Sequence, residues 1–227
     1  MQLSEQTITT LKNFSSINPN LVFKAGNQIK TISVAKNILA TATIPETIPK
    51  EFGIYDLNEF LNVISMFDDP TLDITSNSAK ITYSGGESTN YYFSDVSNLT
   101  APTKDISMPQ CEIEFDMTES TLNKIRKAAA TLGVSEVVVT GEADGSGVDI
   151  VVHDTRNVTS NSLTLKLTEN VIRPDAAFKM VFNISNFKFA SGDYRAKLSS
   201  KLISNFKHAN GTLEYWVALE KTSTFNA

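Results

Sequence analysis

The side chains that could perform acid–base, nucleophilic or metal chemistry in this 227-residue sequence are few and scattered. The sequence contains two histidines, His153 and His208, and a single cysteine, Cys111. None of them belongs to a motif with the spacing of zinc ligands, and no basic residue follows Cys111 closely enough to activate its thiol. The glycine-rich stretch 141–147 lacks the Lys-Ser/Thr pair of a phosphate-binding P-loop and is interpreted as a hairpin tip. We therefore predict no catalytic residue, no metal site, no cofactor and no enzymatic activity.

Basic side chains with helical spacing are the second group that could do chemistry, because they can bind phosphate. Residues 118–132 contain three basic residues and one acid. On a helical wheel of about 100° per residue, Lys124 and Lys127 lie opposite the apolar residues, and Arg126 lies at the border. The apolar side of this predicted helix consists of Leu122, Ile125, Ala129 and Leu132.

Lysines also occur on two other predicted helices, at Lys12 and Lys188. A single lysine on an outward helix face usually does no more than keep that face solvated. The distribution is more informative, because the chain carries a net charge of −5 and its acids lie mostly in strands and turns. Neutral to positive helices on an acidic body predict a surface that meets phosphate groups without binding them tightly. The candidate residues of this surface are Lys12, Lys124, Arg126, Lys127 and Lys188.

The only tryptophan, Trp216, lies in the predicted strand 213–219. Large aromatic residues are most often buried, so core packing is one interpretation. The other is an apolar groove that receives a partner peptide, with a proline-containing connector as its second side. The candidate residues of this groove are Val96, Leu99, Pro102, Trp216 and Val217.

A repeated pattern of elements must position these side chains. Four times a short strand is followed by a capping residue and a helix, and then by three short strands with turn residues between them. The first of these units is predicted to begin with a strand at Gln2-Leu3 and a helix that has Ile8, Leu11 and Ser15 at helical spacing, and the last is predicted to contain a short helix over 184–189. The predicted caps of the second, third and fourth helices are Asp56, Thr118 or Asp116, and Asn183. Two of the capped segments, IYDLNEF at 54–60 and VFNISNF at 181–187, have similar sequences although they lie more than half the chain length apart. The predicted fold is α+β, with two similar domains of two β-α-β-β-β units each. The domains are expected at 1–95 and 111–227, joined by a connector at 96–110.

Composition limits the class of protein. Hydrophobic residues make up 41% of the chain and charged residues 20%, as in ordinary globular domains. The lone cysteine favours a reducing compartment, and the sequence has neither a secretory signal nor an apolar run long enough for a membrane span. A soluble intracellular protein without membrane contact is expected.

The order and spacing of the elements over essentially the whole chain resemble the sliding clamps of T4-type bacteriophages, which are DNA polymerase accessory proteins. The stretches that carry this resemblance are Leu11-Lys12-Asn13-Phe14, Ile54-Tyr55-Asp56-Leu57-Asn58 with Phe60-Leu61, and Val217-Ala218-Leu219-Glu220.

The resemblance implies a DNA-clamp fold and a homotrimeric ring, with antiparallel sheets outside and helices lining a central hole for duplex DNA. The five basic residues named above would then face phosphates. It also implies a clamp loader ATPase, and a replicative polymerase whose C-terminal peptide docks on the ring. It leaves open whether viral late-transcription proteins bind as well, and it places the protein in the cytoplasm of the infected bacterial host. The alternative hypothesis is an oligomeric structural or adaptor protein of a virion, built from duplicated α+β domains with no DNA in its centre.

Overall fold

The computed structural model describes residues 1–66, 68–168 and 170–226. The chain divides into two compact units, Met1–Asp105 and Ile106–Ala227. Within the described residues, no helix is both long enough and apolar enough to cross a membrane. Both units combine antiparallel strands with helices, as the α+β prediction requires.

The described residues of the first unit form two α-helices and seven strands. In chain order its elements are α1 (Glu5–Ile17), β1 (Leu21–Phe23), β2 (Gly26–Ile32), β3 (Ile38–Ile48), β4 (Phe52–Ile54), α2 (Leu57–Ile64), β5 (Thr71–Ile74), β6 (Ser78–Thr82) and β7 (Ser88–Tyr92), followed by a 3-10 turn at Val96–Asn98.

The two helices of the first unit lie side by side because each has one apolar face. Helix α1 packs on β2, β3 and α2, and α2 also contacts β7. Strands β5, β6 and β7 form an antiparallel sheet, while β1 pairs with β4 and β2 with β3. The buried helix residues are Thr7, Leu11, Phe14 and Ile17 of α1, and Leu57, Phe60, Leu61 and Ile64 of α2.

In the second unit, the part of the chain that the structure describes forms one α-helix and nine strands. Its elements are β8 (Ile113–Met117), α3 (Glu119–Leu132), β9 (Glu136–Gly141), β10 (Val148–His153), β11 (Leu163–Leu167), β12 (Ala177–Asn183), a 3-10 turn at Ile184–Asn186, β13 (Tyr194–Ser199), β14 (Ile203–His208), β15 (Leu213–Ala218) and β16 (Thr224–Asn226).

The strands of the second unit form two antiparallel arrays. One is a five-stranded sheet in the order β11-β10-β9-β12-β16, and α3 contacts its β10. The other runs β8-β13-β14-β15. Phe189 packs on Phe206 with ring centroids 4.6 Å apart, as part of a buried aromatic cluster in this unit. The members of the aromatic cluster are Phe182, Phe187, Phe189, Tyr194, Phe206 and Tyr215. Strict alternation of buried residues in β8 and β10 explains why these segments fold as strands.

The predicted fourth helix over 184–189 is wrong. The structure has only the 3-10 turn Ile184–Asn186 there, and an extended segment follows it. Phe187 and Phe189 are both buried, although residues two apart cannot share one face of an α-helix. Burial of both phenyl rings in the aromatic cluster therefore favours extended backbone over a helix.

The predicted strand at Gln2-Leu3 is also not a regular strand in the structure. Met1 nevertheless exchanges two hydrogen bonds with Leu72: its amino group donates to the Leu72 carbonyl at 2.6 Å, and the Leu72 amide donates to the Met1 carbonyl at 2.7 Å. These bonds cover the outer edge of β5, so the N-terminal residues protect the sheet without forming a strand of their own.

Candidate nucleic-acid interface

Two caps fix the start of α3, which carries the largest group of basic residues. Thr118 is the N-cap, and its hydroxyl accepts a hydrogen bond from the Thr121 amide at 3.1 Å. The Glu119 amide donates to the carboxylate of Asp193, 74 positions away in the sequence, at 2.8 Å. The helix ends at Gly133, which adopts the left-handed conformation with φ of 65°. These contacts leave α3 little freedom to rotate or slide.

The rotation of α3 leaves Lys124 and Lys127 exposed. Leu122, Ile125 and Ala129 are buried, as the helical wheel predicts. Within residues 1–66, 68–168 and 170–226, neither lysine forms an ion pair. Both ammonium groups are therefore available to an external anion such as phosphate.

Helix α1 of the first unit exposes Lys12. The predicted apolar stripe of Ile8, Leu11 and Ser15 is shifted, since α1 buries Thr7 and Phe14 in place of Ile8 and Ser15. This shift moves the buried face by one residue and keeps Lys12 on the outside. Next to α1, the exposed positions of α2 include the neutral Asn58 and Asn62.

Glu46 of β3 anchors the N-terminal end of α1. Its carboxylate accepts hydrogen bonds from the Ser4 amide and from the Thr7 hydroxyl, the latter at 2.5 Å. Burial raises the pKa of Glu46, but the bonds from Thr7 and Ser4 outweigh it, and the net pKa lies below the ordinary value. An anion at this end also interacts favourably with the helix dipole.

Arg126 has a different environment from the two lysines. Its guanidinium donates to the carbonyl oxygen of Phe187, from Nη2 at 2.7 Å and from Nε at 3.2 Å, and to that of Phe189 from Nη2 at 2.7 Å. Burial lowers the pKa of this half-buried group. The sequence analysis includes Arg126 among the residues predicted to face phosphate, but here its donors already serve backbone carbonyls.

Lys188 lies between Phe187 and Phe189 in the extended segment, and its side chain is half-buried. Hydrogen bonds between Ala190 and the hydroxyls of Tyr194 and Tyr215 hold the end of this segment. The Tyr194 hydroxyl donates to the Ala190 carbonyl at 2.7 Å, and the Ala190 amide donates to the Tyr215 hydroxyl at 3.0 Å. Burial raises the pKa of both phenols, for Tyr215 to about 12.

Three residues of the candidate peptide groove lie in the first unit. Val96 and Leu99 cover Gly53 of β4 so closely that a methyl group at Gly53 would stand 2.6 Å from a Leu99 methyl. Pro102 lines a cleft with Lys24, Lys30 and neighbouring residues. The surface around Val96 and Leu99 is thus packed on β4, and Pro102 belongs to a separate cleft.

The other two groove residues lie in the second unit, on opposite faces of β15. Val217 is fully buried, whereas Trp216 is half-buried and lines a cleft with Ile106 and Met108. The buried indole Nε1–H of Trp216 has no hydrogen-bond partner among the described residues. Trp216 therefore combines both interpretations of the sequence, since it packs on the sheet and still borders an open cleft.

The groups with reactive potential are isolated from one another. Among the described residues, no three His, Cys, Asp or Glu side chains are grouped so as to hold a metal ion. The Cys111 thiol lies 3.3 Å from the Pro109 carbonyl, and burial raises its pKa. A thiol with a raised pKa is a weak nucleophile, which agrees with a small packing residue.

Both halves of the chain match known protein families. Residues 4–100 match the family model described as DNA polymerase processivity factor, and residues 114–221 match the model described as gp45 sliding clamp, C terminal. Two similar relatives are both named "Sliding clamp". The one from Enterobacteria phage T4 is 30% identical over 233 residues, covering 99% of each chain. The one from Vibrio phage KVP40 is 29% identical over 223 residues, covering 97% of this chain and 99% of its own.

Solved structures share the fold at low sequence identity. Proliferating Cellular Nuclear Antigen from Entamoeba histolytica has a TM-score of 0.68 at 14% identity, with 94% of each chain covered. The PCNA2-PCNA3 complex from Sulfolobus tokodaii has a TM-score of 0.65 at 14% identity, with 94% and 95% covered. Both likenesses show that the fold is the one found in these proteins.

Proposed function

The chain belongs to the sliding-clamp family and is a processivity factor of DNA polymerase, and we propose that it works as a closed homotrimeric ring around duplex DNA. Family membership confirms the sliding-clamp hypothesis over the virion-protein alternative. The observation that carries the proposal is the exposure of lysines on α1 and α3 in a protein whose net charge is −5.

In the proposed ring the helices line the hole, and Lys12, Lys124 and Lys127 face the DNA phosphates. Lys188 joins them from the extended segment of the second unit. Such contacts are independent of base sequence and weaken as salt rises, because binding releases counterions from the DNA. The acidic remainder of the protein keeps overall attraction low, which suits a ring that must move along the duplex.

Ring closure would use the unpaired edges of the two outer sheets. In the part of the chain that the structure describes, β7 pairs only with β6, and β11 pairs only with β10. Each strand is five residues long, so β7 of one subunit could pair with β11 of the next along its whole length. A head-to-tail contact of this kind closes into a ring when its rotation matches the number of subunits.

The proposed partners are the C-terminal peptide of the replicative polymerase and a clamp loader ATPase that opens the ring. In the second unit, the cleft bordered by Trp216 supports peptide docking, because a half-exposed indole can cover an apolar side chain. In the first unit, Val96, Leu99 and Pro102 are the residues proposed to contact the peptide. A clamp of phage replication would work where the phage genome is copied, in the cytoplasm of the infected bacterium, and late-transcription proteins would compete for the same groove if they bind.

Charge reversal on α3 tests the DNA-facing surface. The double variant Lys124→Glu/Lys127→Glu should reduce processive synthesis by at least about tenfold with polymerase and loader present, because it replaces two phosphate contacts by repulsion. The matched control is Lys201→Glu/Lys221→Glu, which makes the same charge change at two exposed turn residues of the same unit.

Light scattering should show that both double variants keep the subunit number of the unmodified protein. Equal synthesis by the two variants would refute the assignment of α3 to the DNA side.

A further inference from the structure

We propose that Arg126 is a positioning residue that fastens the segment carrying Lys188 to α3, and that it is not itself a phosphate contact. The segment concerned, here called the strap, consists of residues 187–190. This inference rests on the proposed DNA-facing surface, and it assigns Arg126 and Lys188 unequal roles within it.

The strap has no regular secondary structure to satisfy its backbone carbonyls. It follows the 3-10 turn and precedes β13, so neither a helix nor a sheet ladder pairs it. The carbonyls of Phe187 and Phe189 instead accept from the forked guanidinium of Arg126, with its shortest bonds at 2.7 Å to each. One side chain thereby holds the backbone on both sides of Lys188.

The opposite side of the strap is fixed by the core. Phe187 and Phe189 are about 4% and 3% exposed and pack in the aromatic cluster. Tyr194 and Tyr215 hold both polar groups of Ala190. Arg126 thus completes a set of contacts that fixes Phe187, Phe189 and Ala190 through their backbone or their rings.

The charge of Arg126 is left without an anionic partner. Among the described residues no carboxylate forms an ion pair with it, and its contacts are carbonyl oxygens. Lysine would preserve this charge, but it has no planar fork to reach two carbonyls in a fixed geometry. Arg126→Lys therefore separates the two roles: a phosphate contact would largely survive it, whereas fastening of the strap would not.

Hydrogen exchange on the free protein tests the fastening without DNA. We expect the amides of Phe187 and Ala190, which donate to the Ile184 carbonyl and the Tyr215 hydroxyl, to exchange at least about tenfold faster in Arg126→Lys, because their segment opens locally. Lys124→Gln is the control and should leave exchange in the strap unchanged. Unchanged exchange in Arg126→Lys would overturn the inference.

The salt dependence of binding to a short duplex with free ends, which a ring can thread, tests the link to Lys188. Loss of one phosphate contact lowers the slope of log K against log salt by about 0.9. We expect that reduction in Lys188→Gln and also in the charge-conserving Arg126→Lys, with no further reduction in the double variant.

A full slope in Arg126→Lys, or reductions that add in the double variant, would overturn the link. If Lys124→Gln and Lys188→Gln both leave the slope unchanged, the DNA-facing surface itself is refuted. The exchange experiment then reports separately on whether Arg126 fastens the strap.

Discussion

At the scale of single residues, side chains of the same type have different functions because their surroundings differ. Among the described residues, Lys124 and Lys127 are exposed and form no ion pair, whereas Arg126, on the same helix, donates to backbone carbonyls. The helical wheel placed Arg126 at the border of the polar face but contained no information on its acceptors, which lie 61 and 63 positions away. The sequence therefore predicted the exposed basic face of α3, but it did not show that Arg126 binds the protein's own backbone.

The role of Glu46 in holding α1 was also not predicted from the sequence, because its partners Ser4 and Thr7 lie about 40 positions earlier. Replacing it by glutamine should lower the free energy of unfolding by about 1 kcal/mol at pH 7, since hydrogen bonds to a charged acceptor are stronger than those to a neutral one. Urea denaturation measures this change. Glu51→Gln, at an exposed position of the same unit, should leave stability unchanged.

The stabilisation by Glu46 should also depend on pH. Because the pKa of Glu46 is lower in the folded protein than in the unfolded chain, its contribution is complete above the ordinary glutamate pKa of about 4.3. It is lost as the pH falls through the lowered folded value. The difference between the unmodified protein and Glu46→Gln should therefore shrink on acidification, and a difference that grows would contradict this account.

At the scale of elements, the sequence predicted what local patterns determine. Asp56 caps α2 and Thr118 caps α3, and three of the four predicted apolar residues of α3 are buried, while Leu132 is half-buried. Capping and amphipathic spacing could be predicted because both depend on residues within one or two turns. The prediction of the fourth helix was wrong. Asn183 does cap a turn, as the sequence indicates, but Phe187 and Phe189 are buried against aromatic rings from distant strands, which local sequence does not show. Tertiary packing overrides a local start signal when the following residues gain more by leaving the helix.

The hydrogen bonds of Tyr194 and Tyr215 with the backbone of Ala190 provide a test of how the strap is held. Tyr194→Phe removes the hydroxyl that donates to the partly buried Ala190 carbonyl and should lower the free energy of unfolding by about 1–3 kcal/mol, because that carbonyl loses its donor. Thermal unfolding monitors the loss. Tyr55→Phe, at a side chain that is 69% exposed, is the control and should unfold as the unmodified protein does.

At the scale of the whole molecule, β7 and β11, which have only one neighbouring strand each among the described residues, carry exposed or half-buried large side chains at their sheet edges. Leu163, Leu165 and Leu167 lie on one face of β11 and are only half-buried, while Tyr92 at the end of β7 is 68% exposed. An apolar sheet edge left open to water invites pairing with other strands. Head-to-tail pairing would cover both edges in every subunit, which a monomer cannot do.

The number of subunits in solution therefore tests whether the proposed ring forms. Light scattering should give about three times the chain mass of 24.9 kDa for the unmodified protein, and a monomer at working concentration would refute the ring.

Leu165→Lys should convert the trimer to monomers, because an ammonium group would be buried against the neighbouring subunit. Thr164→Lys places the same charge on the exposed face of the same strand and should stay trimeric. A trimer that survives Leu165→Lys would exclude β11 as the closing edge, whereas selective loss with Leu165→Lys would assign the interface to the apolar face of that strand.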